Sequence, residues 1–250
     1  MDITMHLSAL ARDGELLAEA AHRAGLDAIT PSCPGWTVRD LVRHVGQVHR
    51  WAADHVAEER LTENETLAGW PVDSDLLAWY SEGHADLVKT LTAADPELDC
   101  WHFLPAASGL RFWARRQAHE TAIHRVDAQL AARQTVSPFD PVFAADGVDE
   151  VLYGFFARRP SRFTSAEPYS FGLIATDTLR SWLTVVDAEG AHTARLIGEA
   201  DCEVRGTASD LYLLLWNRLL WHRDDPSGLD VSGDPAGLEH WRDHAHVRWS

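Results

Sequence analysis

The sequence predicts a two-domain α+β protein, an antiparallel four-helix bundle over residues 1–157 followed by a smaller mixed α+β domain over 158–250. Three observations predict it. Apolar residues keep helical spacing through the first part, with no strand-like alternation between the helices. The stretch Arg158-Arg159-Pro160-Ser161-Arg162 then breaks the pattern with basic residues and a proline, as a domain boundary does. Beyond it, alternation and a turn signal announce a hairpin.

The elements follow in order. Leu7, Leu10, Leu16, Leu17 and Ala20 line one stripe of a helix from Ile3 to about Ala24, and Gly25 stops it. Pro31-Ser32-Cys33-Pro34-Gly35-Trp36 is a turn, after which Thr37 caps a second helix to about Glu58, with Val38, Leu41, Val42, Val45, Val48 and Trp51 on one stripe. Asp73 or Ser74 caps a third, bearing Leu76, Leu77, Tyr80, Leu87, Val88 and Leu91 and ended by Asp95-Pro96. A fourth starts near Leu110 and continues through Ile123, Val126 and Leu130. A shorter fifth, Pro141 to about Phe156, is expected to lean on the bundle. In the second domain, strands are predicted at Leu179–Val186 and Thr193–Ile197 around the turn Asp187-Ala188-Glu189-Gly190. Cys202–Arg205 is another, Thr207 or Ser209 caps an apolar helix Leu211–Leu220, and Leu229-Asp230-Val231 closes the sheet.

Composition narrows the function. Apolar residues at 46% and charged residues at 24% are those of an ordinary soluble protein. A net charge of −16 repels phosphate backbones and anionic membrane surfaces, so neither nucleic acid nor membrane is an expected partner. No window approaches the roughly 20 apolar residues of a membrane span. Cys33, Cys100 and Cys202 are odd in number and far apart, which argues against a disulfide scaffold and for the cytoplasm.

The fourth helix contains His119-Glu120-Thr121-Ala122-Ile123-His124, one residue longer than the zinc-protease pattern H-E-x-x-H. At about 100° per residue, His119 and His124 lie about 140° apart and cannot share an ion, whereas Glu120 and His124 are separated by about 40°. Asp127, three residues on, is placed to orient the imidazole or serve as an outer ligand. His44, on or beside the apolar stripe of the second helix, offers a third ligand. His44, Glu120 and His124 form a set that leaves a tetrahedral ion one open position, as catalytic zinc sites do. Among fourteen histidines, His49, His55, His84 and His102 offer other geometries between which spacing does not choose.

The run Cys33-Pro34-Gly35-Trp36-Thr37-Val38-Arg39-Asp40-Leu41-Val42-Arg43-His44, followed by Val48-His49-Arg50-Trp51, resembles the mycothiol-dependent maleylpyruvate isomerase family. So do Arg115-Arg116-Gln117-Ala118-His119-Glu120-Thr121-Ala122-Ile123-His124-Arg125-Val126-Asp127, Asp146-Gly147-Val148-Asp149-Glu150 and Gly206-Thr207-Ala208-Ser209-Asp210-Leu211. The resemblance implies a DinB-like metal bundle with zinc on His44, Glu120 and His124. It also implies mycothiol as the cofactor, bound to the metal through its sulfur. A metal-bound thiol is deprotonated near neutral pH. Its thiolate adds to an activated alkene and leaves after bond rotation in an isomerase, or stays attached in an S-transferase.

The resemblance places a functional arginine at Arg218, where a guanidinium suits a substrate carboxylate. The partners implied are a small thiol and a small electrophile bearing a carboxylate. The competing reading is a metal-binding sensor or stress protein of the same fold without turnover. Cys33 is read as a structural cysteine of the turn, Trp36, Trp51 and Trp113 as core, and Arg115, Arg116 and Arg125 as a solvated helix face.

Overall fold

The computed structural model describes residues 1–63, 69–158, 161, 163–219 and 228–245. The chain divides into two compact units, Met1–Ser137 and Pro138–Ser250. This division falls before the fifth helix, not at the expected break after residue 157. Residues 159, 160 and 162 of the predicted boundary lie outside the described residues.

The first unit is built on four long helices, α1 Ile3–Ala24, α2 Val38–Ala57, α3 Leu76–Ala93 and α4 Gly109–Ala131. Asp2 accepts the amide of Met5 to start α1, and Gly25, with φ at 81°, ends it. The α2 start is held by Asp40, whose carboxylate accepts the Thr37 amide at 2.9 Å and the Thr37 hydroxyl at 2.7 Å. A 3₁₀ turn at Asp73–Asp75 leads into α3. Ser108 caps α4 by accepting the Arg111 amide. Helices α1 and α4, α2 and α3, α1 and α3, and α2 and α4 pack on one another around Leu17, Leu41, Val42, Val45, Leu76, Tyr80 and Ala128. No helix among the described residues is long and apolar enough to cross a membrane.

Helix α4 departs from the amphipathic expectation. Almost every residue from Gly109 to Gln129 is buried, including Arg116, Gln117, His119, Glu120, Arg125 and Asp127. Arg116 and Arg125 therefore do not belong to a solvated face: Arg125 lies 3.4 Å from the Asp13 carboxylate and donates to the Ser137 carbonyl. A buried guanidinium is retained only where such partners replace its water.

In the second unit, α5 Pro141–Asp149 runs into a π-helical stretch, Glu150–Phe155. Gly147 lies so close to the Tyr212 ring that a Cβ would sit 2.3 Å from it. That close approach, with Phe143 edge-on to Tyr212, seats α5 on α6, Ala208–Leu215. The sheet has the order β3-β2-β1-β4-β5, with β1 Tyr169–Ala175, β2 Ser181–Asp187, β3 Gly190–Ala194, β4 Cys202–Gly206 and β5 Asp230–Gly233. The central strand β1 pairs antiparallel with β2 and parallel with β4. Sequence reading did not foresee it, nor α7, Ala236–His244. The buried face of β1, Phe171, Leu173 and Ala175, is interleaved with Gly172 and Ile174, so the segment does not read as apolar–polar alternation. The returning hairpin strand starts three residues earlier than predicted and ends at Ala194, leaving Leu196 and Ile197 exposed.

Helix α6 ends at Leu215, short of the predicted Leu220, which lies outside the described residues. Asn217 adopts φ 56°, the Arg218 amide bonds to the Leu213 carbonyl at 2.8 Å, and the Asn217 amide bonds to the Leu214 carbonyl at 3.0 Å. This left-handed cap takes up the last carbonyls and turns the chain before Arg218.

Candidate metal centre

Three predicted ligands meet inside the first unit. Each of His44 from α2 and Glu120 and His124 from α4 offers one ligand atom, all lying within 4.8 Å of one another. His44 Nε2 is 3.1 Å and His124 Nε2 3.2 Å from the same Glu120 oxygen, Oε1. A tetrahedral ion with bonds of about 2.0–2.1 Å sets its ligand atoms roughly 3.3 Å apart, close to these two separations. The donor set of two imidazole nitrogens and one carboxylate oxygen suits zinc.

Two of the three donors, His124 and Glu120, are held from behind. Asp127 Oδ2 accepts from His124 Nδ1 at 2.8 Å, which leaves Nε2 facing Glu120. Asp127 is itself tied by the Ser32 hydroxyl at 2.5 Å and the Cys33 thiol at 3.3 Å, both from the turn before α2. Arg116 donates to the outer oxygen of Glu120, Oε2, at 2.9 Å, leaving Oε1 for the two histidines. Trp36, half-buried, completes the rim: its ring meets His44 edge-on at 5.1 Å and stacks on His124 at 6.3 Å.

These contacts set the protonation states. Burial by itself would raise the Glu120 carboxyl, but hydrogen bonds from His124 and His44 and the charge of Arg116 outweigh it and hold Glu120 well below the usual carboxylate range. Burial would lower His124, yet its bonds to Asp127 and Glu120 win and raise it to about 9. His124 is thus an imidazolium at neutral pH when no metal is bound, and an ion at this position would take the place of the Nε2 proton.

The alternative histidines lie elsewhere in the unit. His49 is buried against Thr121, with its Nε2 2.8 Å from the hydroxyl, and burial and the neighbouring His84 keep its pKa well below the ordinary value. His84 bonds the Leu10 carbonyl, His102 the Leu104 carbonyl, and His55 stacks against Trp101 and Trp113, which also touch each other. His119 packs edge-on to His6, consistent with the helical arithmetic that separated it from His124. Arg218 lies in the second unit, half-buried just past α6, with its Nη1 donating to the Trp216 carbonyl at 2.8 Å.

Sequence reading overlooked Arg116, Ser32, Cys33 and Trp36 as parts of the centre. Arg116 carried a usable signal, since it stands four residues before Glu120 on one helix face. Ser32 and Cys33 carried none, because they reach Asp127 across 95 and 94 residues of chain.

Comparison with known proteins now bears on this geometry. Residues 7–129 match the family model described as the mycothiol maleylpyruvate isomerase N-terminal domain, and residues 143–240 match the MDMPI C-terminal domain. The chain belongs to the mycothiol maleylpyruvate isomerase family. No curated protein matches it in sequence. Among solved structures, it is similar to the mycothiol-dependent maleylpyruvate isomerase at a TM-score of 0.60 and 12% identity, over 93% of both chains. A histidine-to-alanine mutant of that isomerase gives 0.62 and 12%, over the same shares. At such identity the likeness shows that this family member shares the α+β fold, a helical N-terminal part followed by a sheet with helices.

Proposed function

We propose that this chain is a metal-dependent enzyme that brings mycothiol to a small electrophile bearing a carboxylate. It acts in the cytoplasm as an isomerase of the maleylpyruvate type or as a thiol S-transferase, on a DinB-like antiparallel bundle. The observation that carries the reading is the convergence of His44 Nε2 and His124 Nε2 on one oxygen of Glu120, at 3.1 and 3.2 Å. Family membership supports the thiol and favours isomerisation, because the solved relatives are named for that reaction.

A divalent ion held by His44, Glu120 and His124, most simply zinc, would supply a Lewis-acid position at which a thiol gives up its proton. The chain's own groups do the rest. Asp127 keeps the proton of His124 on Nδ1, so that Nε2 is the donor nitrogen. Trp36 lies over the two imidazoles and restricts water there. Arg218 is the proposed partner of the substrate carboxylate, its fork suited to two parallel hydrogen bonds.

The test combines metal analysis with turnover. The purified protein is expected to carry about one divalent ion per chain, and to isomerise maleylpyruvate only when mycothiol and metal are both present. His44→Ala and His124→Ala should largely empty the site. A variant as metal-rich as the parent would remove its residue from the ligand set. A metal-loaded protein that turns over no electrophile with any small thiol would favour the sensor reading.

A further inference from the structure

We propose that Arg180 and Arg195, set side by side on Asp149, form a binding site for a small organic carboxylate with an apolar body. All three residues belong to the second unit, and the inference does not depend on the reading of the metal centre.

Asp149 ends α5, and its carboxylate is buried and fully engaged. Oδ1 accepts from the buried Trp182 indole at 2.7 Å and from Arg195 Nε at 3.3 Å. Oδ2 accepts from Arg195 Nη2 at 2.7 Å and from Arg180 Nη1 at 2.6 Å. A carboxylate offers about four lone-pair sites, so these four bonds use them all. Trp182 lies in β2, Arg180 just precedes that strand and Arg195 just follows β3, so the hairpin brings the donors and the end of α5 the acceptor.

Because both arginines bond the same oxygen, their guanidiniums are close together. Neither pairs with another carboxylate among the described residues. Two like charges thus share one counter-charge, and their mutual repulsion favours a second anion. The donors for it are in place. Arg180 uses only Nη1 on Asp149, while its Nε and Nη2 make no bond to the described residues and are not sealed from solvent. Those two nitrogens form the guanidinium edge that takes a carboxylate by two parallel bonds. Arg195, 60% exposed and lying over the Tyr153 ring at 5.1 Å, keeps Nη1 for the same ligand. Asp149 and the ring hold both forks in place beforehand, which lowers the cost of ordering them.

The neighbours of these arginines select the ligand further. Leu179 beside Arg180, and Leu196 and Ile197 beside Arg195, are exposed apolar side chains. A monoanionic carboxylate on an apolar body matches both features, whereas a free phosphate dianion would bring a charge in excess and leave the apolar residues in water.

The experiment titrates octanoate, octanamide and inorganic phosphate separately into the full-length protein by isothermal titration calorimetry. Octanoate is expected to bind, octanamide about tenfold or more weaker, and phosphate more weakly than octanoate. Arg180→Gln should weaken octanoate about tenfold or more. Arg180→Lys keeps the charge and a bond to Asp149 but lacks the free edge, and should weaken it nearly as much. His44→Ala should bind octanoate as the parent does. A parent that binds no octanoate, equal affinity for octanoate and octanamide, or tighter binding of phosphate would overturn the proposal. So would parental octanoate affinity in either folded Arg180 variant, and loss of binding in His44→Ala, which would move the carboxylate to the metal centre. If circular dichroism shows Arg180→Gln unfolded, Arg180→Lys decides: weakened octanoate in the folded protein supports the site, and parental affinity overturns it.

Discussion

Proton and metal compete for the same nitrogen of His124, and the competition predicts how metal affinity depends on pH. The His124 pKa is raised to about 9 because the imidazolium bonds both Asp127 and Glu120. Below that value the metal-free site holds a proton that an incoming ion must displace, and above it the site is open. The sign is therefore fixed: affinity falls as pH falls, by one decade per unit below about 9. Between the raised pKa and pH 7 this amounts to about 2.7 kcal/mol, or roughly a hundredfold. Competition against a chelator of known pH dependence, from pH 6.5 to 9.5, should show this slope flattening near the top of the range. Calorimetry in buffers of different ionisation enthalpy at pH 7 should find about one proton released per ion from this residue. Asp127→Asn removes the larger of the two bonds that raise His124, so its slope should flatten at a lower pH. Its affinity above pH 9 should fall about ten- to a hundredfold, because the imidazole loses its orienting partner. A pH-independent affinity between 6.5 and 8.5 in the parent would refute the argument, since the proton and the ion would then not share Nε2.

Two further predictions follow from particular contacts. Arg218→Ala should lower kcat/KM toward an anionic substrate roughly a hundredfold without changing metal content, and Arg218→Lys should recover little because lysine lacks the fork. Near-parental kinetics would make Arg218 a structural residue whose work is the bond to the Trp216 carbonyl. Cys33→Ser should keep most thiol-dependent activity, because a serine hydroxyl can take over the bond to Asp127. Lost turnover with intact metal content and fold would point to Cys33 as an enzyme nucleophile.

Much of this was legible in the residues alone, for reasons of range. The span of α1, the Thr37 start of α2, and the shared face of Glu120 and His124 depend on interactions within a few residues along the chain, where helical geometry is nearly invariant. The same arithmetic separated His119 from His124, and the structure finds His119 against His6 instead. Propensity failed where tertiary packing overrode it. The polar sequence of α4 suggested solvated arginines, yet the helix is buried on almost every side, and Arg116 and Arg125 find carboxylates there. The central strand β1 escaped notice because Gly172 and Ile174 stand between its buried residues Phe171, Leu173 and Ala175 and blur the alternation by which strands are recognised. The length of α6 was misjudged because its apolar run continues past the left-handed turn at Asn217 that ends it.

By itself, then, the sequence determined the long helices of the first unit, the hairpin and the shared face of Glu120 and His124 on α4, all of which are set by local backbone geometry. The sequence named His44 beside that pair, but only the tertiary structure brings it within 3.1 Å of Glu120, across 76 residues of chain. It alone placed Ser32 and Cys33 on Asp127 and buried the Arg116 charge behind Glu120, since the cost of an unpaired charge depends on what surrounds it in space and not on its neighbours in sequence.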